Sequence, residues 1–290
     1  MIGSCWMLVL AGCTALDAAV IRIVGQTIHP FEIGFFRVLF ALLLVSPWLI
    51  QRGLADLRSD FLLVHASRAI LKLLAQIAYF YAVLVMPLAD VAAIGFAKPL
   101  FVSIGAVLFL GEVMRLRRWV AIAIGFLGVV VILRPGSTLF DPWIMSAVFA
   151  AIGLAGVNLL MKYLAEREAT NRILAWNLMI SVPVALVLAL PFWTTPSLPI
   201  LGLLLLQGGL GALAQFSAAR AMRLADVSVL TAIEFVRLPL VALIAYVLFG
   251  EISGFWTWMG AAIIIGSTLY LVRREAKLGR QDSVSSRHEG

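Results

Sequence analysis

Apolar residues form long, nearly continuous blocks from residue 5 to residue 272, and short polar segments separate the blocks. About 20 apolar residues suffice for one helix to cross the hydrocarbon of a bilayer. Helices are required because every backbone polar group in lipid needs an internal partner, and barrel strands would instead alternate polar with apolar residues. The pattern therefore predicts an all-α integral membrane fold. Ten transmembrane helices are placed near residues 3–24, 31–50, 65–86, 88–110, 119–133, 142–165, 173–192, 199–222, 225–249 and 255–272.

The composition excludes a water-soluble fold. Apolar residues make up 63% of the 290 residues and charged residues only 13%, which is more apolar surface than a soluble domain can bury. The net charge of +7 comes from basic residues scattered through short loops, so no nucleic-acid partner is expected. Cys5 and Cys13 lie together in the first apolar block, and their spacing offers neither a disulfide framework nor a metal site.

Basic residues are distributed unequally between the two sides of the predicted helices. If the amino terminus is cytoplasmic, the outer segments hold only Arg22 and Arg134. Cytoplasmic loops carry the excess of Lys and Arg, so we expect a multi-pass protein of the cell inner membrane with both termini cytoplasmic. Segment 275–290 is polar and is predicted to be a disordered cytoplasmic tail. The inner basic residues are Arg52, Arg58, Arg68, Arg115, Arg117, Arg118, Lys162, Arg167, Arg172, Arg220, Arg223, Arg273, Arg274, Lys277, Arg280 and Arg287.

The two halves of the chain resemble each other. Residues 88–91 (Leu-Ala-Asp-Val) recur at 224–227, and after a three-residue insertion the match continues in the second half. Each half holds five predicted helices, an odd number, so the second half must be inverted relative to the first. Inverted repeats are typical of secondary transporters, whose binding sites lie near the midplane where the repeats meet. The later matches are Phe96-Ala97-Lys98 with Phe235-Val236-Arg237, Gly111-Glu112 with Gly250-Glu251, Trp119 with Trp258, and Arg134 with Arg273.

These repeated motifs resemble a known family. An apolar helix closed by Leu110-Gly111-Glu112, and again by Phe249-Gly250-Glu251, is similar to the pattern of the EamA-type drug/metabolite transporter superfamily. The resemblance implies a first repeat at 3–134 and a second, inverted repeat at 142–274. It leaves the substrate open, because the superfamily includes exporters of amino acids and drugs and carriers of nucleotide-sugars, riboflavin and S-adenosylmethionine. Further matching features are Phe35-Phe36-Arg37, Gly125, Gly128, Gly260 and Gly266; the two glutamates are expected to serve packing or helix termination.

Charged residues deep in lipid cost about 2.5 to 3.5 kcal/mol each, so they are candidates for function. Lys98 and Arg237 lie near the middle of their predicted helices and match each other in the repeat. We expect both to face a shared site that binds an anionic group. The alternative for Arg237 is an intrahelical pair with Glu234, three residues earlier. Asp17 and Arg37 are expected to pair with each other, and Lys72 is expected to snorkel to the inner face.

Polar residues at similar depths are candidates to complete the site. The alternative for each of these residues, taken singly, is a hydrogen bond between helices rather than a contact with a ligand. Pro99 and Pro239 lie beside the basic pair and predict bends in the fourth and ninth helices. The candidate substrate-binding residues are Lys98, Arg237, Glu234, Gln76, Tyr79, Asn158 and Gln215, with Gln207 at a similar depth.

Enzyme chemistry is not predicted. The chain has no Gly-x-x-x-x-Gly-Lys phosphate loop and no His-Glu-x-x-His metal motif, so neither a cofactor nor a metal is expected. The leading hypothesis is a secondary transporter that moves a small organic metabolite by alternating access; the substrate would be an amino acid or resemble riboflavin or a nucleotide. The alternative is a channel-like pore or a non-transporting membrane partner. The expected partners are a small-molecule substrate and the lipid bilayer, with a coupling proton as a further candidate.

Overall fold

The computed structural model describes residues 2–52, 58–111, 114, 116–135, 142–224, 230 and 233–288. These residues form eleven α-helices and two short 3-10 turns, and no strand occurs among them. The helices are α1 (Ile2–Val24), α2 (Pro30–Arg52), α3 (Leu62–Val85), α4 (Leu88–Gly95), α5 (Lys98–Leu110), α6 (Leu116–Leu133), α7 (Met145–Ala165), α8 (Thr170–Ala189), α9 (Leu198–Leu224), α10 (Arg237–Phe249) and α11 (Phe255–His288).

Helix length and composition confirm the membrane fold. Nine stretches within the described residues are long and apolar enough to span a bilayer, if α4 and α5 are counted together. Helix α10 is a tenth, shorter apolar helix. It covers the second half of the ninth predicted span, whereas most of the first half of that span lies outside the described residues. The prediction of an all-α membrane fold is therefore confirmed.

The fourth predicted span, 88–110, agrees with one membrane-length stretch, Leu88–Phe109, but the helix within it is broken next to Pro99, where the sequence predicted a bend. Helix α4 ends at Gly95, and α5 begins at Lys98. Between them the Phe96 N–H donates to the Ala93 carbonyl at 3.1 Å, three residues back, instead of continuing the α-helical pattern. Pro99 has no N–H to restore that pattern and is well placed in the first turn of a new helix. The result is a two-part membrane helix.

The second half repeats this construction. Helices α5 and α10 each contain 13 residues, and each begins with a basic residue after a turn. Gly111 and Gly250 follow them, both with φ of +67°, a left-handed conformation that ends a helix and favours glycine. Glu251, next in the chain, accepts the Leu88 N–H at 3.0 Å and forms an ion pair with Arg22. Glu251 thus connects the end of α10 to α1 and α4, while Glu112 lies outside the described residues.

Close helix contacts depend on small residues. A Cβ atom on Gly128 of α6 would lie 2.8 Å from the Gly260 carbonyl oxygen of α11, and one on Gly260 would lie 2.6 Å from the Gly128 oxygen. A Cβ on Gly153 of α7 would lie 2.6 Å from the Ala75 Cβ of α3. Larger side chains at these positions would separate the helices, so the glycines bring α6 to α11 and α7 to α3.

The helix ends form two faces of the molecule. We call the first the His29 face. There Glu32, after the α1–α2 loop, accepts hydrogen bonds from Thr194, which follows α8: one from its N–H at 2.6 Å and one from its hydroxyl at 2.9 Å. On the second, the His65 face, His65 near the start of α3 lies 2.7 Å from Glu168 between α7 and α8. The sequence predicts that successive membrane helices run in opposite directions, and this order puts the two contacts on opposite sides of the membrane.

The last helix is longer than its membrane-spanning part. Its apolar, membrane-length part is Phe255–Arg273, and the backbone continues as a helix to His288. This differs from the disorder predicted for segment 275–290. Adding turns to an existing helix avoids the unfavourable nucleation step, so a polar segment can continue a helix that an apolar one has started.

Candidate substrate site

The two helix breaks meet inside the molecule. Phe96 lies in the turn between α4 and α5, and Phe235 lies in the turn just before α10. Their rings are in edge-to-face contact, with centroids 4.9 Å apart and planes at 73°. The first residues after the breaks are Lys98 and Arg237, so the contact brings the amino-terminal ends of α5 and α10 to one region. The sequence predicted that its basic pair would share a site.

Arg237 has no carboxylate partner among the residues that the structure describes. Its guanidinium carbon lies 4.7 Å from the centre of the Phe96 ring, and its Nε is buried without a hydrogen-bond partner. The structure does not show the intrahelical pair with Glu234, because neither a hydrogen bond nor an ion pair joins these two described residues. A buried guanidinium N–H without an acceptor is costly, and an anionic ligand would satisfy it.

Lys98 is also available to a ligand. Its side chain is half-buried and lies within electrostatic range of both Glu234 and Arg237. Among the described residues it forms neither a hydrogen bond nor an ion pair. The first turns of α5 and α10 add the positive ends of two helix dipoles. Among the described residues, Glu234 is the carboxylate within electrostatic range of Lys98, in a region that holds two cations and two positive helix ends.

Helix α3 contributes the predicted Tyr79 and Gln76. Tyr79 lies within electrostatic range of Arg237, Arg37 and Asp17, which places it between α1, α2 and α10. Gln76 is one turn earlier on α3 and is half-buried as well. The structure thus brings Tyr79 near the basic pair, and Gln76 lies on the same side of the helix.

Asp17 and Arg37 form the pair that the sequence predicted. Arg37 Nη1 donates to both carboxylate oxygens of Asp17 at 2.8 Å. The guanidinium also lies 5.8 Å from the centre of the Phe80 ring and close to Gly211 of α9. These charges neutralise each other inside the bundle, so they do not compensate Lys98 or Arg237.

Two of the predicted site residues are placed differently. Asn158 on α7 and Gln215 on α9 are exposed, and no contact among the described residues joins them to Lys98 or Arg237. Gln207 on α9 is fully buried, and its amide nitrogen and oxygen have no partner among the described residues. The sequence also missed the role of Phe96, although its match with Phe235 in the repeat was the available signal.

A second feature lies on the His29 face. The His29 ring stacks on Phe192 with centroids 4.0 Å apart, and its Nε2 lies 3.1 Å from the Tyr81 hydroxyl. Burial lowers the pKa of His29 below its ordinary value, while the nearby Glu32 carboxylate acts in the opposite direction. A cleft of about 360 Å³ opens beside this cluster and is lined by Gly25, Gln26, Thr27, Ile28, His29, Pro30, Phe192 and Thr194. No cluster of three metal-ligating residues occurs in the described part of the chain.

Paired broken helices, with basic residues at the breaks, in an inverted-repeat membrane fold define a membrane transporter as the class of protein. The model of the EamA-like transporter family matches residues 1–134 and again residues 141–273. The chain belongs to the EamA-like transporter family, as the repeated motifs indicated. A solved structure with 18% identity superposes with a TM-score of 0.62 over 94% of this chain and 96% of its own, which supports the fold alone.

Curated relatives are transporters of small metabolites. The chain is 30% identical over 287 residues to the S-adenosylmethionine uptake transporter of Rickettsia prowazekii (strain Madrid E), covering 99% of this chain and 96% of that protein. It is also 30% identical over 289 residues to the riboflavin transporter of Rhizobium johnstonii, covering 97% and 94%. The pseudopaline exporter of Pseudomonas aeruginosa is 27% identical over 258 residues, covering 88% and 90%. The protein is thus a small-metabolite transporter and not an enzyme.

Proposed function

We propose that this protein is a secondary transporter that moves a small organic metabolite bearing an anionic group across the cytoplasmic membrane by alternating access. Lys98 and Arg237 bind the anionic group where the two helix breaks meet. Glu234 balances part of their charge, and Tyr79 and Gln76 form the adjoining wall. Asn158 and Gln215 remain candidates that the substrate reaches at another stage of transport. The protein lies in the inner membrane with both termini in the cytoplasm.

One observation carries the proposal. The Arg237 Nε is buried without an acceptor, at the end of a broken helix and near a second unpaired cation. A charge inside a membrane protein is paired, or it faces water or a ligand. Glu234 can neutralise only one of the two cations. A carboxylate or phosphate bound between Lys98 and Arg237 would supply the missing negative charge.

The names of the relatives narrow the substrates to test. S-adenosylmethionine carries a carboxylate that the basic pair would bind, an ammonium and a sulfonium that Glu234 would balance, and a planar adenine that suits the Phe96 and Phe235 rings. Riboflavin has a planar ring system but no carboxylate or phosphate. S-adenosylmethionine is therefore the preferred first substrate, and riboflavin serves as the comparison that separates ring recognition from anion recognition.

The test is uptake of labelled S-adenosylmethionine, amino acids and riboflavin into vesicles that contain the purified protein. Lys98→Ala and Arg237→Ala are expected to lower uptake of a substrate that carries a carboxylate by about tenfold or more, because each removes a charge-assisted contact. Arg237→Lys keeps the charge but loses the two-pronged donor, so we expect weaker binding at an unchanged protein level. Arg220→Ala is the matched control, since this arginine is exposed and lies over the Phe216 ring.

Three results would contradict the proposal. Wild-type uptake by both alanine variants would remove the basic pair from the site. A substrate that has neither a carboxylate nor a phosphate, and whose binding is lost only in Glu234→Gln, would assign the site to the Glu234 carboxylate. Flux that does not saturate and shows no counterflow of labelled substrate would favour the channel-like alternative. Counterflow requires a carrier whose binding site reorients across the membrane with substrate bound, which a pore does not do.

A further inference from the structure

Five polar side chains of α3 form a continuous line along the helix. His65, Arg68, Lys72, Gln76 and Tyr79 follow one another at intervals of three or four residues, which places them on one side of an α-helix. We call this line the α3 stripe. It begins at the His65 face and ends at Tyr79, next to the candidate site around Lys98 and Arg237, which we call the central site. A polar line of this length in a membrane helix requires an explanation, because lipid offers it no partners.

The stripe faces the interior of the bundle. The large apolar residues that α3 exposes lie on the opposite side of the helix and suit contact with lipid. Stripe residues instead interact with the surrounding helices: Arg68 Nη1 donates to the Ile173 carbonyl of α8, and Lys72 lies within electrostatic range of Arg37 on α2. Lys72 and Gln76 are nevertheless half-buried rather than fully enclosed, so space remains along this inward side. The exposed residues of the opposite side are Leu63, Ile70, Leu74 and Val85.

The middle of the stripe has unbalanced positive charge. Arg68 is only 5% exposed, its single hydrogen bond is long at 3.5 Å, and its Nε has no partner. Lys72, one turn further along, forms neither a hydrogen bond nor an ion pair with any residue that the structure describes. The Asp17 carboxylate is occupied by Arg37. In the described part of the chain, these two cations, four residues apart, therefore have no counter-charge.

We propose that Arg68 and Lys72 form a second anion-binding station, which the anionic group of the substrate occupies between the His65 face and the central site. This inference rests on the proposed function, because the ligand is the same anionic group that Lys98 and Arg237 bind. Gln76 lies between the two stations, as a neutral hydrogen-bonding side chain. The α3 stripe is then one half of the transport path, with a positive charge at each stage and an uncharged segment between.

The end of this path at the His65 face is closed in the present conformation. Glu168, between α7 and α8, contacts His65 at 2.7 Å and also accepts a hydrogen bond from the Ser59 hydroxyl. His65 is only 1% exposed, and its ring stacks on Trp176 of α8. At the His65 face, this cluster joins the start of α3 to α8 and to the connection between α7 and α8. Entry from that face requires Glu168 to separate from His65, which leaves the α3 stripe as the opened surface.

Thiol labelling tests the stripe without knowledge of the substrate. In a background that lacks both native cysteines (Cys5→Ser and Cys13→Ser), Gln76→Cys is treated from the His65 face with sulfonatoethyl and trimethylammonioethyl methanethiosulfonate. We expect the anionic reagent to react about tenfold faster than the cationic one, relative to the exposed control Glu166→Cys, because the local potential is positive. Adding Lys72→Met should remove most of that preference. Leu74→Cys, two residues away but on the lipid side, should not react.

Several outcomes would overturn the second station. These are no reaction at residue 76, equal rates at residues 74 and 76, or an anion preference that Lys72→Met leaves unchanged. An anionic lipid headgroup is a different source of the same chemistry. If the anion preference at residue 76 falls in vesicles containing phosphatidylglycerol but not in pure phosphatidylcholine, after normalisation to residue 166, a headgroup occupies the station and the transport path is excluded.

The two proposals fail independently. If Gln76→Cys shows the anion preference while Lys98→Ala and Arg237→Ala transport normally, the stripe is an anion-accessible path but the central site is wrong. If those alanine variants lose transport while residue 76 does not react, the central site holds and the stripe is structural. Binding of the cysteine variants to an affinity column and their elution as a single species in detergent show that the comparison concerns folded protein.

Discussion

Phe96 and Phe235 are in edge-to-face contact, with ring centroids 4.9 Å apart. Each lies in the turn of a helix break, and the described residues of the two halves share this break at matching positions. Thr268 of α11 adds a hydrogen bond of 3.3 Å to the Phe96 carbonyl, one of the backbone groups that the break leaves free. The aromatic contact thus joins the two repeats where each has an irregular backbone. It also presents the Phe96 face to the Arg237 guanidinium.

Gly95 provides the space for that guanidinium. A Cβ at this position would lie 3.4 Å from Arg237 Nη2, so alanine fits at ordinary contact distance, whereas a larger side chain displaces the arginine. We expect Gly95→Ala to bind and transport nearly normally and Gly95→Leu to lower affinity for an anionic substrate by about tenfold. The measurements are the KM of vesicle uptake and the Kd from titration of purified protein.

The control for Gly95 is Gly209 on α9, where a Cβ would meet no atom within 4 Å. Gly209→Leu is expected to leave the affinity unchanged. A Gly95→Leu protein with wild-type affinity would show that Arg237 does not hold the substrate from its present position.

Asp17 and Arg37 are predicted to stabilise the bundle only as a pair. Removal of one partner leaves an uncompensated charge inside the protein, with a cost of about 3 to 5 kcal/mol. Asp17→Asn should therefore lower the midpoint of thermal unfolding in detergent strongly. The double variant Asp17→Asn/Arg37→Gln should recover much of the loss, because neither charge then remains. Equal destabilisation by the single and the double variant would show that the residues act separately.

Hydropathy determined most of the fold in advance. The predicted spans agree with the observed helices because a bilayer requires long apolar blocks and admits few alternatives to helices. The break before Lys98 was not predicted as a break, since Pro99 alone is equally compatible with a bend in a continuous helix. What distinguishes the two cases is tertiary: Phe235 and Thr268 stabilise the turn from other helices, at 139 and 172 residues from Phe96 along the chain.

The candidate site was predicted only in part for a related reason. Lys98 and Arg237 stood out because a repeat and a charge in an apolar block are both visible in sequence. The sequence did not show whether the side chains of Asn158 and Gln215 point into the bundle. Helices α7 and α9 are apolar around most of their circumference and lack the periodicity that would fix an inward side. Helix α3, which carries Tyr79 and Gln76, does show that periodicity.

Pro99 and Pro239 are predicted to keep the helix breaks open during transport. Both lie in the first turns of α5 and α10, where they supply no N–H. Pro99→Ala and Pro239→Ala restore a donor and allow the helix to extend across the break, which hinders movement of its two parts. We expect uptake to be several times slower with a nearly unchanged Kd for substrate.

Pro183, inside α8 and away from the breaks, is the matched control, and Pro183→Ala should not slow uptake. If all three variants transport at the wild-type rate, the prolines shape packing only. If Pro99→Ala lowers affinity as much as rate, the break holds the site in place rather than moving it.

The orientation of the whole chain is the last prediction. Basic residues concentrate on the His65 face, so that face and the end of the chain at Gly290 are expected to be cytoplasmic. A reporter enzyme that is active only in the periplasm, fused after Gly290, should be inactive, whereas the same reporter inserted after Thr194 on the His29 face should be active. Activity of the first fusion alone would show that the whole chain is inverted in the membrane, whereas activity of both fusions would make the number of membrane crossings odd. An odd number of crossings is incompatible with two inverted five-helix repeats, so this result would also remove the symmetry that relates Lys98 to Arg237.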